Sequence, residues 1–334
     1  MNKRFLDITL RATDSTSLTK VEEIQSLWSG YGSISRYKAV GRNTKNIVVK
    51  HVQLPDTVSH PRGWQTNLSH QRKIRSYQVE SAWYKHYSHL CNEGCRLPQC
   101  LALNESEDEF LIVLEDLNES GYTLRKDAAN SENMKACLKW LANFHAIFLM
   151  KSPKHVWPIG TYWHLDTRPD ELETLQDSQL KSVATDINSC LNSCEFKTFV
   201  HGDAKLANFC FSNDGKQVAA VDFQYVGGGC GMKDVAYFIG SCLQEEDCQR
   251  YEAELLNSYF NDLKDAISHQ QSDQKMPINS DKLEREWRSL YPVAWTDFHR
   301  FIKGWSPGHW KIHDYSEQLA HEVIQQFSSK RHIS

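Results

Sequence analysis

Apolar residues alternate with polar ones through much of the first third of the chain and recur at helical spacing through most of the rest. Leu27 to Val40 reads as strand, glycine turn and strand, and Asn46 to Val52 as a further strand. Ser69 to Leu90 carries Tyr77, Glu80, Ala82, Trp83, Tyr84 and Tyr87 with the spacing of a buried helical stripe. Leu97–Leu103 and Phe110–Leu114 are two strands about an acidic turn. Ser131 to Met150 is a helix with Ser131 as N-cap and an apolar face of Met134, Leu138, Leu141, Phe144, Phe148 and Leu149. Glu171 to Ser193 is one or two polar helices, and residues beyond Leu243 are helical, interrupted near Gln270 to Asp281.

Some stretches lack a period. Residues 1–18 are polar and mixed and read as a loosely held arm, followed by a capping-box pattern at Thr19–Glu22 that suits a short helix. Leu54 to Leu68 holds Pro55, Pro61 and Gly63 and reads as an insertion, with His60, Arg62 and Trp64 unassigned. Gly227–Gly231 is too glycine-rich for a regular element and reads as a mobile loop. The overall class is α+β.

The chemistry concentrates in one stretch. Phe199-Val200 leads into a polar loop with His201, Asp203, Lys205 and Asn208, and Phe209–Phe211 leaves it. The turn Ser212-Asn213-Asp214-Gly215 then joins that strand to Val218–Phe223, which carries Asp222. The hairpin is expected to return Asp222 beside Asn208 and Asp203. Phosphoryl transfer needs a base near the attacking hydroxyl and hard oxygen ligands for Mg²⁺. Asp203 suits the base, and Asn208 and Asp222 suit the metal. The five-residue spacing of Asp203 and Asn208 is that of the protein-kinase catalytic loop, with Gly202 in place of arginine. Any one of these acids, taken alone, reads equally well as a turn or cap residue.

Upstream, Gly30 and Gly32 match the first two glycines of a phosphate-covering turn, with Ser33 beside them and Ser35 at the third glycine position. Ile47-Val48-Val49-Lys50 matches the strand whose lysine contacts phosphates. Glu80 is an acid on an apolar stripe and needs a partner, for which Lys50 is the candidate; Glu93 falls in a turn. Lys205 is a candidate for neutralising the transferring phosphate. His201 reads as a residue that fixes the loop, and His145 as a packed helical histidine.

The string His201-Gly202-Asp203 to Asn208, then Val221-Asp222-Phe223-Gln224, Gly227-Gly228-Gly229 and Asp234-Val235-Ala236-Tyr237-Phe238, resembles the aminoglycoside phosphotransferase and choline kinase superfamily. It is most similar to the choline kinase-like and ecdysteroid kinase-like branch. The resemblance spans about residues 25–310. It implies a bilobal protein-kinase-like fold, with a small N-lobe of antiparallel sheet plus helix (1–117) and a larger, mostly helical C-lobe (118–334). It further implies ATP and Mg²⁺ as cofactors and adenine pairing with main-chain groups of Glu115 and Leu117. Asp234 would brace the catalytic loop. Trp295, Asp297 and Trp305 would lie on substrate-side helices, whose rings suit a quaternary ammonium, a sterol-like alcohol or plain core packing. The implied activity is phosphorylation of a small-molecule alcohol, choline-like, sterol-like or aminoglycoside-like. A nucleotide-binding pseudokinase and, less well, a protein kinase are the alternatives; no Ala-Pro-Glu segment follows Asp222.

Composition narrows the setting. The 334 residues are 40% hydrophobic and 24% charged, and a net charge of −4 disfavours nucleic acid as partner. No apolar run approaches the ~20 residues of a membrane helix, and the N-terminus lacks an apolar core of signal-peptide length. A cytoplasmic protein is expected, with its ten cysteines as thiols. The cluster His86, His89, Cys91, Cys95 and Cys100 has ligands zinc would accept, at a spacing that matches no standard site.

Overall fold

Side chains on a strand alternate between faces, and this alternation organises the first part of the chain. The structure, a computed structural model, describes residues 3–27, 30–54, 66–106, 109–270 and 278–331. Residues 55–65 of the expected insertion, with His60, Arg62 and Trp64, lie outside them. The chain forms two compact units, one of Met1–Asn92, Arg96–Arg125 and Cys210–Gln224, the other of Glu93–Cys95, Lys126–Phe209 and Tyr225–Ser334.

In the first unit, β1 (Ser15–Ser26), β2 (Gly32–Gly41), β3 (Lys45–Gln53), β4 (Cys100–Glu105) and β5 (Glu109–Glu115) form one antiparallel sheet in the order β1-β2-β3-β5-β4. Ile47 and Val49 of β3 join Leu111, Val113 and Phe5 in one apolar cluster. Val52, on the opposite face with Lys50, joins Tyr31, Phe110 and Tyr77 in another. Phe5 comes from α1 (Lys3–Thr13) and Tyr77 from α2 (Thr66–His86), so each helix covers one face. A two-stranded ribbon of β7 (Phe209–Phe211) and β8 (Val218–Ala220) follows later in the chain, around a turn in which Gly215 has φ +71°.

Two expectations for the N-terminus are corrected. Residues 3–13 are a helix rather than a loose arm, because Phe5 is fully buried on the sheet; a buried phenylalanine contributes about 2–3 kcal/mol. The capping-box stretch is strand: Lys20 pairs with Tyr37 and Glu22 with Arg36, and the ladder overrides the local helical preference.

The second unit is mostly helical. It contains α3 (Ser131–Phe148), α4 (Pro169–Thr174), α5 (Ser178–Asn192), α6 (Met232–Cys242), α7 (Glu245–Gln270), α8 (Ser280–Trp305) and α9 (Asp314–Arg331). The α3 helix packs on α7, and α8 packs on α4, α5, α6 and α9. Asn130, not Ser131, caps α3: its side chain accepts from the Asn133 N–H at 2.9 Å.

The glycine run is also corrected. Gly227–Gly229 is β9, paired antiparallel with β6 (Thr198–Val200). A β-carbon on Gly227 would lie 2.3 Å from Trp157 O, and one on Gly228 2.7 Å from Pro158 O. The glycines permit close backbone approach on the side away from β6, and β6 delivers the chain to His201.

Candidate functional site

The first unit assembles three of the expected residues. Lys50 Nζ lies 2.5 Å from Glu80 Oε2 and 3.9 Å from Asp222 Oδ1. Lys50 and Glu80 are buried, while the Asp222 side chain is 37% exposed. Burial pushes the Glu80 carboxyl up, and the adjacent Lys50 ammonium opposes that shift. Asp222 has φ +68°, an uncommon conformation for a residue with a β-carbon. Its neighbours hold the segment. Phe223 stacks on Trp83 with centroids 4.8 Å apart, and Gln224 Oε1 accepts from Ser76 Oγ at 3.2 Å and Lys73 Nζ at 3.3 Å.

Ser76, Glu80 and Trp83 are spaced i, i+4, i+7 on α2, so one helical stripe holds Gln224, Lys50 and Phe223. Sequence reasoning found Glu80 and missed Ser76; a serine within an apolar stripe was the available signal.

The second unit assembles the loop. Asp203 is buried, and its carboxylate accepts from Lys205 Nζ at 2.9 Å, Asn208 Nδ2 at 3.2 Å and Tyr237 OH at 3.1 Å. Asn208 Nδ2 also donates to Asp203 O at 2.8 Å, and Asp203 N–H donates to His201 Nδ1 at 3.3 Å. The Asp234 carboxylate accepts from His201 N–H at 2.5 Å and Gly202 N–H at 2.9 Å, which is the expected bracing. His145, buried on α3, lies 3.2 Å from Asp234 Oδ2 and 2.7 Å from Tyr259 OH, a packed position.

Gly202 has φ +80°, and a β-carbon there would stand 2.1 Å from Tyr225 O. Glycine is therefore required where the protein-kinase loop has arginine. Tyr237 was missed as a site residue. It follows Asp234 by one helical turn on α6, so both side chains reach the same loop.

The remaining candidates are dispersed. Gly30 and Gly32 have φ +77° and +126°, and Ser33, second in β2, stands opposite His51. Glu115 N–H donates to Gln99 O at 2.9 Å, and Leu117 C=O accepts from Tyr122 N–H at 2.9 Å. The Glu115 side chain is held by Arg96 at 2.5 and 2.7 Å, and the hydrogen bonds from Arg96, the Gln99 N–H and Ser120 outweigh burial to push its carboxyl down. Asp116, beside them, is buried and pairs with Arg36 at 2.6 Å, a link the sequence did not signal.

Trp295 packs edge-on against Tyr315, and Trp305 stacks on Phe301. Asp297 pairs with Arg300 at 3.0 Å and accepts from Trp163 Nε1 at 3.1 Å, both inside the core. Among the described residues, no group of three or more His, Cys, Asp or Glu is arranged to hold a metal ion. No helix among them is long and apolar enough to cross a membrane.

A model of the ecdysteroid kinase-like family matches residues 71–155 and 160–272, more than half of the chain. The chain belongs to the ecdysteroid kinase-like family. The match takes in Glu80, the loop from His201 to Asn208, Asp222 and Asp234; Lys50 precedes it, and Trp295 follows it. No curated protein matches the sequence.

Among solved structures, this ecdysteroid kinase-like chain is similar to an amicoumacin kinase in complex with AMP-PNP, Ca²⁺ and Ami. They share 11% identity over 94% of this chain and 88% of that one, with a TM-score of 0.53. A candidate fructosamine-3-kinase from Thermobifida fusca YX-ER1 shares 14% identity over 95% and 98%, with a TM-score of 0.52. These likenesses show a kinase-like α+β fold, as the sequence led one to expect.

Proposed function

We propose that the chain is a small-molecule kinase that uses ATP and a divalent cation to phosphorylate an alcohol. The observation that carries this reading is the buried Lys50–Glu80 pair with the Asp222 carboxylate 3.9 Å from the same ammonium. Two charges taken from water are costly as a structural device, and here one of them is the lysine that the kinase pattern assigns to phosphates.

The first unit is then the nucleotide-binding lobe and the second the catalytic and substrate lobe. Glu80 orients Lys50 toward the α- and β-phosphates. Backbone N–H groups of Gly30, Gly32 and Ser33 line the phosphates, and main-chain groups of Glu115 and Leu117 meet adenine. Asp222 and the Oδ1 of Asn208 are hard oxygen donors that fit Mg²⁺, which takes one or two side-chain oxygens and completes its shell with phosphate and water. Bound there, Mg²⁺ would neutralise charge on the phosphates.

Asp203 accepts the proton of the attacking hydroxyl. The new bond joins that oxygen to the γ-phosphorus, the bond to the β-bridging oxygen breaks, and ADP leaves. Tyr237 and Asn208 hold the Asp203 carboxylate in position, and Lys205 offers its ammonium to the transferring phosphoryl group. Trp295, Asp297 and Trp305 support acceptor-side packing. We place the enzyme in the cytoplasm; partial or full burial pushes the thiols of Cys100, Cys242 and Cys248 up to about 12, so these three stay protonated there.

The test is ATP consumption with Mg²⁺ over a panel of small alcohols, run beside Asp203→Asn. Turnover should fall by about 10²–10⁴-fold in the variant, the usual worth of a positioned base, with nucleotide affinity kept. Equal turnover would overturn the role of Asp203. Binding of ATP without turnover on any alcohol would favour the pseudokinase reading.

A further inference from the structure

Lys311 follows α8 in the second unit and has an unusual setting. Its ammonium lies over three rings, 4.8 Å from the centroid of Tyr237, 5.2 Å from Phe298 and 5.5 Å from Trp310. Among the described residues it has no hydrogen-bond or ion-pair partner. An aromatic box of this kind is what proteins use to take a ligand's quaternary ammonium. Here the chain fills it with its own cation.

The box adjoins the catalytic loop. The Tyr237 ring that faces Lys311 carries the hydroxyl that donates to Asp203 Oδ1. Lys311 also lines a small recess with Ala236, Gly240, Trp295, Phe298, His299 and Ile302, and no carboxylate is among these lining residues. Burial disfavours the Lys311 charge, Cys242 and then Asp203 favour it, and Lys205 opposes it. Lys205 contacts Asp203 directly, and Lys311 lies over the ring of the tyrosine that donates to the same aspartate, whose oxygens already accept three hydrogen bonds. An acceptor with its own ammonium would find the rings occupied and a net positive charge beside the reacting hydroxyl.

From this geometry we infer that Lys311 sets acceptor specificity: the substrate is an uncharged or anionic alcohol, and Lys311 excludes alcohols bearing an ammonium group. Lys311 donates to an oxygen of the acceptor near the reacting hydroxyl. This deepens the kinase reading and rests on it for the word acceptor, but the occupancy of the box is testable without turnover.

The first measurement is a tetramethylammonium chloride titration of the full chain, read by tryptophan fluorescence, for wild type, Lys311→Ala and Lys311→Met. Emptying the box in Lys311→Ala should tighten binding by roughly tenfold or more over wild type, the scale of one desolvated cation–π contact. Lys311→Met, which refills the box with an apolar chain, should not gain. Equal binding in wild type and Lys311→Ala overturns the proposal.

The second measurement compares choline with its carbon isostere 3,3-dimethylbutan-1-ol as acceptors. Wild type should favour the isostere in kcat/KM by roughly tenfold, and Lys311→Met should erase that preference. A wild-type preference for choline, or one unchanged in Lys311→Met, overturns it. If Lys311→Ala does not fold, the Lys311→Met comparison decides. Absence of turnover on every alcohol would count against the kinase reading, while the tetramethylammonium result would still decide the role of Lys311.

Discussion

At Gly202 a single hydrogen atom decides the shape of the His201-to-Asn208 loop. With φ at +80° and Tyr225 O 2.1 Å from where a β-carbon would lie, Gly202→Ala should cost at least ~2 kcal/mol, left-handed backbone alone accounting for about 1–2. Urea unfolding measures that, and a loss under ~0.5 kcal/mol, the range of neutral surface changes, would show that the loop relaxes freely. Lys311 gives a second prediction at this scale. Burial pulls its ammonium down to about 8 from 10.5. Between those values the unfolded chain binds more protons than the folded one, so this group makes stability rise with pH across that window. Melting temperatures from pH 8 upward should show the rise in wild type relative to Lys311→Met.

The element scale shows what local pattern conveys and what it omits. Glu80 was legible because an acid on an apolar stripe demands a partner. The α1 helix was not legible, because two of the three residues on its buried stripe, Phe5, Thr9 and Thr13, are threonines, and its stability comes from the sheet it covers. Phe5→Ala should therefore cost about 3–5 kcal/mol, as for a core phenylalanine, measured by chemical unfolding; a loose arm would show no loss. The β1 strand was misread for a related reason: a capping box is a four-residue signal, and the ladder with β2 spans Ser15 to Ser26.

For the whole molecule, the proposed nucleotide site can be tested through folding, because a ligand that binds only the folded state stabilises it. Mg²⁺ and ATP at about 100 times the dissociation constant should stabilise the chain by about 2.7 kcal/mol, read as a rise in Tm. Lys50→Met should abolish most of the rise, and an equal rise in that variant would remove Lys50 from the phosphate site. A second whole-chain property is acid sensitivity. Glu317 on α9 is pulled down to about 2, first by His299 and then by Lys303, both on α8. A carboxylate depressed in the folded state contributes stability that is present above its unfolded value near 4.5 and lost as pH falls toward 2. The melting temperature of wild type should approach that of Glu317→Gln over that range.

By itself the sequence determined the α+β class, most strands and helices, the Asp203-to-Asn208 loop and the Lys50–Glu80 pair. Each is written in local spacing or in a charged residue placed among apolar ones, and spacing survives in one dimension. Only the tertiary structure decided that Gly227–Gly229 is a strand, that α1 is part of a core, that Ser76 and Trp83 hold the segment after Asp222, and that Lys311 occupies the ring box beside Tyr237. Those outcomes depend on which backbone or ring lies opposite. Trp157, Phe5, Phe223 and Phe298 meet partners far away along the chain, and no local period records such meetings.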